Sequence, residues 1–156
     1  MESIISVLAK LIKGQNGMTI EDDDDGFQRF FIKLLEKDQS IRFVAIANHL
    51  GSLIATSYRQ GLIPLMTNEE TSQYSIQAVL RATTREDFES KIGRLEYSLG
   101  KYEKLIRATI PILLSRGNEG KDKRFYLLLS FDVNSDAKYI IENKILPLIK
   151  SMEHFI

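Results

Sequence analysis

Apolar side chains recur at two different periods along this chain, and the switches between them mark its elements. Ile4, Ile5, Val7, Leu8, Leu11 and Ile12 stand at helical spacing and predict a short amphipathic helix over about 2 to 13. Gly14 and Gly17 end it, and an acidic run, Glu21 to Asp25, follows. Phe27, Phe30, Phe31, Leu34 and Leu35 predict a second helix, closed by Lys37 to Ser40. Asp24 or Asp25 is placed to cap that helix, where carboxylates favour the positive end of the dipole.

The period then changes. IRFVAIA, residues 41–47, is β-branched and apolar on both faces, which suggests a central strand. Asn48 to Gly51 reads as a tight turn, and SLIATSY, 52–58, as the returning strand. Arg59 to Met66 is a connection with Gly61 and Pro64. Thr67 and Glu70 have capping-box spacing and start a helix that runs to about Ala82, with Tyr74, Ile76, Val79 and Leu80 in it. Thr84, with Asp87, is expected to start a shorter helix that Gly93 stops.

Leu95, Tyr97 and Leu99 alternate with polar residues as in a half-buried strand, and Gly100-Lys101 is expected to turn the chain. EKLIRATIPIL and FYLLLSFDV, separated by the polar loop SRGNEGKDKR, predict two long apolar strands. Asn134, Ser135 or Asp136 caps a final helix carrying Tyr139, Ile140, Ile141, Ile145, Leu148 and Ile149, in which Pro147 should introduce a kink. Paired strands joined by short turns, with helices between the pairs, make the class α+β with an antiparallel sheet.

Composition narrows the functional classes. The 44% hydrophobic and 27% charged content of these 156 residues is that of an ordinary globular domain. With 21 basic and 21 acidic residues the formal charge is zero, so nothing in the balance favours nucleic acid as a partner. The absence of cysteine removes thiolate chemistry and Cys-ligated metals, and fits a cytoplasmic address. The opening MESIISVLAKLIKGQNG is too polar and too short for a membrane span.

The acidic run resembles a calcium loop until its positions are counted. Such a loop needs oxygen ligands at its first, third and fifth positions, glycine at the sixth and a bidentate acid at the twelfth. With Gly26 sixth, Glu21, Asp23 and Asp25 fit, but the eighth position is Gln28 and the twelfth is Ile32. The structural reading, a charged helix front, is the better one; a docking surface for a basic partner is the other reading.

The two histidines, His49 and His154, are far apart and have no cysteine support for zinc. His49 with Ser52 or Ser57 lacks the strained nucleophile turn that a hydrolase needs. Neither GQNG nor RGNEGKDKR has the setting of a phosphate loop. Arg116, Lys121, Lys123 and Arg124 make the long loop basic, and solvation accounts for them; contact with a phosphate or lipid headgroup is the alternative. Tyr97, Tyr102, Phe125 and Tyr126 fall on expected strands, where aromatic residues pack in the core or across strands. No catalytic, cofactor-binding or metal-binding residue is assigned.

The order from residue 26 onward, together with FVAIANHLGSLIATS, KLIRATIPI, FYLLLSFDV and the final helix, resembles the roadblock/dynein light chain family and the wider profilin-like group. It is also similar to small archaeal proteins of the same strand order. The resemblance divides the chain into an amphipathic helix and acidic linker, 1–25, and a roadblock/profilin-like domain, 26–156. It implies a five-stranded antiparallel sheet with helices on its faces, the helix at 2–13 being extra. It further implies a non-enzymatic module that dimerises by extending a sheet or pairing helices and acts on a small GTPase or another protein. A second reading, from folds of the PAS or GAF type, is a small-ligand sensor with a pocket lined by Tyr58, Tyr74 or Tyr97; a third is an enzyme whose site joins His49 to carboxylates.

Overall fold

The computed structural model describes residues 20–114 and 123–153. The helix expected over 2–13, the loop residues Arg116 and Lys121, and His154 lie outside the described residues. The elements in chain order are α1 (Ile20–Lys37), β1 (Ile41–Ala47), β2 (Leu53–Tyr58), α2 (Asn68–Glu86), α3 (Glu89–Ile92), β3 (Ser98–Lys101), β4 (Leu105–Leu114) and β5 (Lys123–Asp132). The C-terminal run is α4 (Ala137–Ile140), a wide π turn (Ile141–Ile145) and α5 (Leu146–Glu153).

Five strands form one sheet in the order β2-β1-β5-β4-β3, every neighbouring pair antiparallel. The side-chain period of two sends alternate residues of β5 to opposite faces. Phe125, Leu127, Leu129 and Phe131 join one core with Val44, Ile46 and Ile110, under α1 and the C-terminal helices. Tyr126 and Leu128 join the other, with Phe43, Ala45 and Ala47, under α2. Both faces of the central strands are therefore covered, which is why β1 and β5 read as nearly continuous apolar runs. Phe27, Phe31 and Leu34 of α1 are almost wholly buried, and each stabilises the fold by about 1.5–3 kcal/mol relative to exposure.

Turn chemistry fixes the β1–β2 hairpin. Asn48 Oδ1 accepts from the backbone N–H groups of Leu50 and Ser52, both at 3.0 Å, and Gly51 takes a φ of +85°. A bulge in β2 sets Ala55 opposite Ile46 and Leu53 opposite Ala47, leaving Ile54 as the extra residue. Pro111 lies in β4 beyond Thr109, the last residue of that strand paired with β3, so it sits where the ladder is open on one side.

Four boundaries differ from the sequence expectation. α1 begins at Ile20, so residues 21–25 form its opening turns instead of standing before Phe27 as a cap. α2 runs unbroken to Glu86: the Thr83 and Thr84 hydroxyls donate back to the Leu80 carbonyl at 2.9 Å, a bond available inside a helix, and Thr84 starts nothing. The third strand covers 98–101, not 95–99; Gly100 and Lys101 are in its ladder, and the chain reverses between Tyr102 and Leu105, whose N–H and carbonyl pair at 2.8 Å. β5 starts at Lys123 and takes in Arg124, which the sequence pattern places in the polar loop.

Of the three candidate caps, Asp136 serves, accepting from the Tyr139 N–H at 3.1 Å. The effect of Pro147 appears upstream of it. The Leu146 N–H bonds to the carbonyl of Ile141, five residues back, and this wider turn gives the proline ring room to continue the helix.

Candidate interaction surface

α2 has two unlike faces. The capping box is complete: the Glu70 N–H donates to Thr67 Oγ1 at 3.1 Å, and the Thr67 N–H to Glu70 Oε1 at 3.0 Å. Inward, the helix presents small residues, Ser75, Ala78, Val79 and Ala82, to Ala45 and Ala47 of the sheet. Small side chains on both partners let the helix lie close to the strands. Ser75 is fully buried and donates from Oγ to the Gly51 carbonyl at 2.7 Å, tying α2 to the hairpin turn.

Outward, the same helix shows Ile76 and Leu80, 52% and 64% exposed, one turn apart. Beyond the helix end, Phe88 and Ile92 are also exposed, at 65% and 82%. Scattered apolar residues on a surface are normal, whereas several large ones close together in the chain are candidates for a contact face. Leu50, in the turn that abuts Ile76, is also exposed.

A polar cluster holds the far end of this surface. Arg124 forms a two-point pair with the Glu89 carboxylate, and its guanidinium lies 3.1 Å from Glu86 Oε1. Tyr126 donates from its hydroxyl to Glu86 at 3.0 Å. The Arg124 hydrogen bond holds Glu89 below the usual carboxylate range, while burial, with Glu86 beside it, pushes the Tyr126 phenol well above its ordinary value. The short α3 has no buried residue, and this pair ties it to β5.

The sheet edges complete the surface. β3 is bonded to β4 alone, with Leu99 41% exposed; β2 is bonded to β1 alone and carries no charged residue.

The residues singled out in sequence are scattered. His49 is exposed in the hairpin turn, Ser57 pairs with Val44 at the other end of β2, and among the described residues no three His, Asp or Glu side chains are grouped to hold a metal. Tyr58 and Tyr74 share a space of only about 30 Å3, because the Arg107 guanidinium packs 3.5 Å from the Tyr74 ring centre. Tyr97 is elsewhere, its hydroxyl donating to Glu142. Tyr58 also lines an open groove of about 910 Å3 with Ile32 and Leu35 of α1, which Tyr74 and Tyr97 do not line. Phe125 and Tyr126 are buried on opposite faces of β5, and Tyr102 is exposed in the β3–β4 turn.

No family model matches the chain, and no curated protein does. Solved structures match it at the level of fold. The gliding protein MglB from Thermus thermophilus is 12% identical with a TM-score of 0.56, over 81% of this chain and 82% of that one. A structure of MglB in a tetrameric arrangement is 14% identical with a TM-score of 0.58, over 83% of this chain and 92% of that one. A roadblock/LC7 domain from Streptomyces avermitilis is 9% identical with a TM-score of 0.52, over 78% of this chain and 90% of that one. The chain has a roadblock-type fold.

Proposed function

We propose that the chain is a non-enzymatic protein-interaction module that self-associates as a homodimer and regulates a small GTPase or another protein of a signalling complex. The observation that carries this reading is the outward row Ile76, Leu80, Phe88 and Ile92. Ile76 and Leu80 stand on a helix whose inward face already has its partners, and Phe88 and Ile92 follow it in the chain. Covering them removes apolar surface from water, at roughly 25 cal/mol per Å2, and the open edge of β3 offers backbone groups for extending the sheet.

The fold likeness supports the reading, since the matched structures include MglB in a tetrameric arrangement. None of the described helices is long and apolar enough to cross a membrane, and a cytoplasmic setting is part of the proposal.

Light-scattering mass measured over a range of concentrations, alone and with candidate GTPases, tests it. A mass twice that of the chain is expected, falling to the chain mass in Ile76→Asp and Leu80→Asp with helix content retained. A strictly monomeric protein at high concentration, with no GTPase bound, overturns it.

A further inference from the structure

β2 forms the end of the sheet away from β3, and its pairing shows which backbone groups stand open. The Arg59 N–H donates to the Arg42 carbonyl at 2.8 Å, and hydrogen-bonded and non-hydrogen-bonded positions alternate along an antiparallel pair. Ser57 opposite Val44 and Ala55 opposite Ile46 therefore turn their backbone groups to β1, while Thr56 and Tyr58 turn theirs outward. Among the described residues no strand follows beyond that edge. LIATSY has neither charge nor proline to keep another strand away. A groove flanks the edge on each face. Toward α1 it is the one of about 910 Å3, lined by Ile32, Leu35, Glu36 and Ser57 among others. Toward α2 it is smaller, about 310 Å3, and Thr56, Asn68, Thr71 and Ser72 line it.

We propose that this edge takes an extended segment of another protein, added as a further strand. The segment carries hydroxyl side chains toward α2, and apolar side chains with one basic one toward α1. Successive side chains of a strand point to opposite faces, so it fills both grooves while its backbone meets Thr56 and Tyr58. The lining sets the chemistry of each face. Asn68, Thr71 and Ser72 offer hydrogen bonds to small polar side chains in the smaller space. On the other face Ile32 is exposed, and three carboxylates stand near it. Asp38 is held by Lys144 at 3.1 Å, and Asp132 by Arg42 and Arg59 at 3.2 and 2.8 Å. Glu36 is exposed and has no cation among the described residues, so a lysine or arginine of the incoming strand completes this side. A second copy paired antiparallel through β2 would instead bring another Glu36 to the same face. The site lies across the sheet from β3 and stays open when β3 or the outward row of α2 is covered, so it goes beyond the reading above.

The probe is a short acetylated and amidated peptide in which threonine alternates with valine, one valine being replaced by lysine. The readout is amide hydrogen exchange of the full chain. The Thr56 and Tyr58 N–H groups should exchange freely in the protein alone and slow by about tenfold or more at millimolar peptide. Methylating the backbone nitrogens of the threonines alone, or of the other residues alone, gives two further peptides. A strand on an edge tolerates the set whose N–H groups face away and not the other. Glu36→Lys, at an exposed position, should weaken binding of the lysine peptide and strengthen that of a counterpart with glutamate in its place. Unchanged exchange at the two amides overturns the proposal, as does equal behaviour of the two methylated peptides or indifference to Glu36→Lys. Slow exchange in the protein alone that deepens with its concentration also overturns it, and seats a second copy on the edge. Ile76→Asp should leave the peptide response intact, which keeps a failure here distinct from a failure of the self-association proposed above.

Discussion

Ser75 and Gly51 hold α2 against the β1–β2 turn from both sides of one contact. The serine hydroxyl donates to the glycine carbonyl at 2.7 Å. A Cβ on the glycine would stand 2.6 Å from the Cα of Ile76, the residue after Ser75. The turn therefore requires glycine twice, for its φ of +85° and for the approach of the helix.

Gly51→Ala is expected to lower unfolding stability by about 2–4 kcal/mol, since backbone strain and overpacking against main-chain atoms add. Gly61→Ala is the control. Its φ is +79°, but its missing Cβ position is open, so only the backbone term, about 1 kcal/mol, applies. Urea unfolding of the two variants measures the difference.

Ser75→Ala leaves the Gly51 carbonyl without its buried donor and should cost about 1–2 kcal/mol. The same urea midpoints check it, and hydrogen exchange at the hairpin turn should rise.

Arg124→Lys should behave nearly as badly as Arg124→Ala. An ammonium cannot make the two parallel bonds to Glu89 while also facing Glu86. A loss of about 1–3 kcal/mol is expected for either, together with faster proteolysis around Glu89–Ile92, where α3 has no buried residue.

The same pair predicts an acid dependence. Glu89 is depressed in the folded protein, so its contribution is fully present above the unfolded carboxylate pKa and is lost as pH falls through the folded value. Unfolding midpoints between neutral pH and pH of about 3 should decline below the ordinary glutamate range of about 4.3. The decline should be shallower in Glu89→Gln.

Tyr97 predicts an alkaline one. Its hydrogen bond to Glu142 raises the phenol to about 12, so the neutral form is favoured in the folded state. Stability from this contact is complete below about 10, the unfolded phenol value, and is lost as pH rises toward the folded value. Ultraviolet difference titration should show the late-ionising phenol in the native protein, and Glu142→Gln should bring it down.

Much of the fold was legible because local chemistry and tertiary packing agree. The Asn48–Gly51 turn, the Thr67–Glu70 capping box, Gly93 with its φ of +95° and the apolar strands β1, β4 and β5 all formed where their residue types predict. The misses have a common cause. Thr84 and the acids at 21–25 are as compatible with a helix interior or opening as with a cap, and only the register of what lies beneath decides. Ser98 to Lys101 pairs with β4 because Tyr102 to Leu105 closes the turn, which alternation alone does not show.

The candidate surface was half visible. Periodicity places Ile76 and Leu80 as apolar positions of α2, but which face they occupy depends on Ser75, Ala78 and Ala82 facing the sheet. A helix with small residues on one side and large ones on the other invites the opposite assignment, because large apolar residues usually point inward. Arg124 was hidden for a different reason. Its partners Glu86 and Glu89 are distant in sequence, and it sits next to a polar run.

The inverted face of α2 has a calorimetric consequence. Its alanines and serine contribute little to the heat capacity of unfolding, whereas Ile76, Leu80, Phe88 and Ile92 are hydrated in the isolated chain. Any assembly that covers this row will carry a negative heat-capacity change out of proportion to the polar bonds it makes, and its affinity will weaken on cooling.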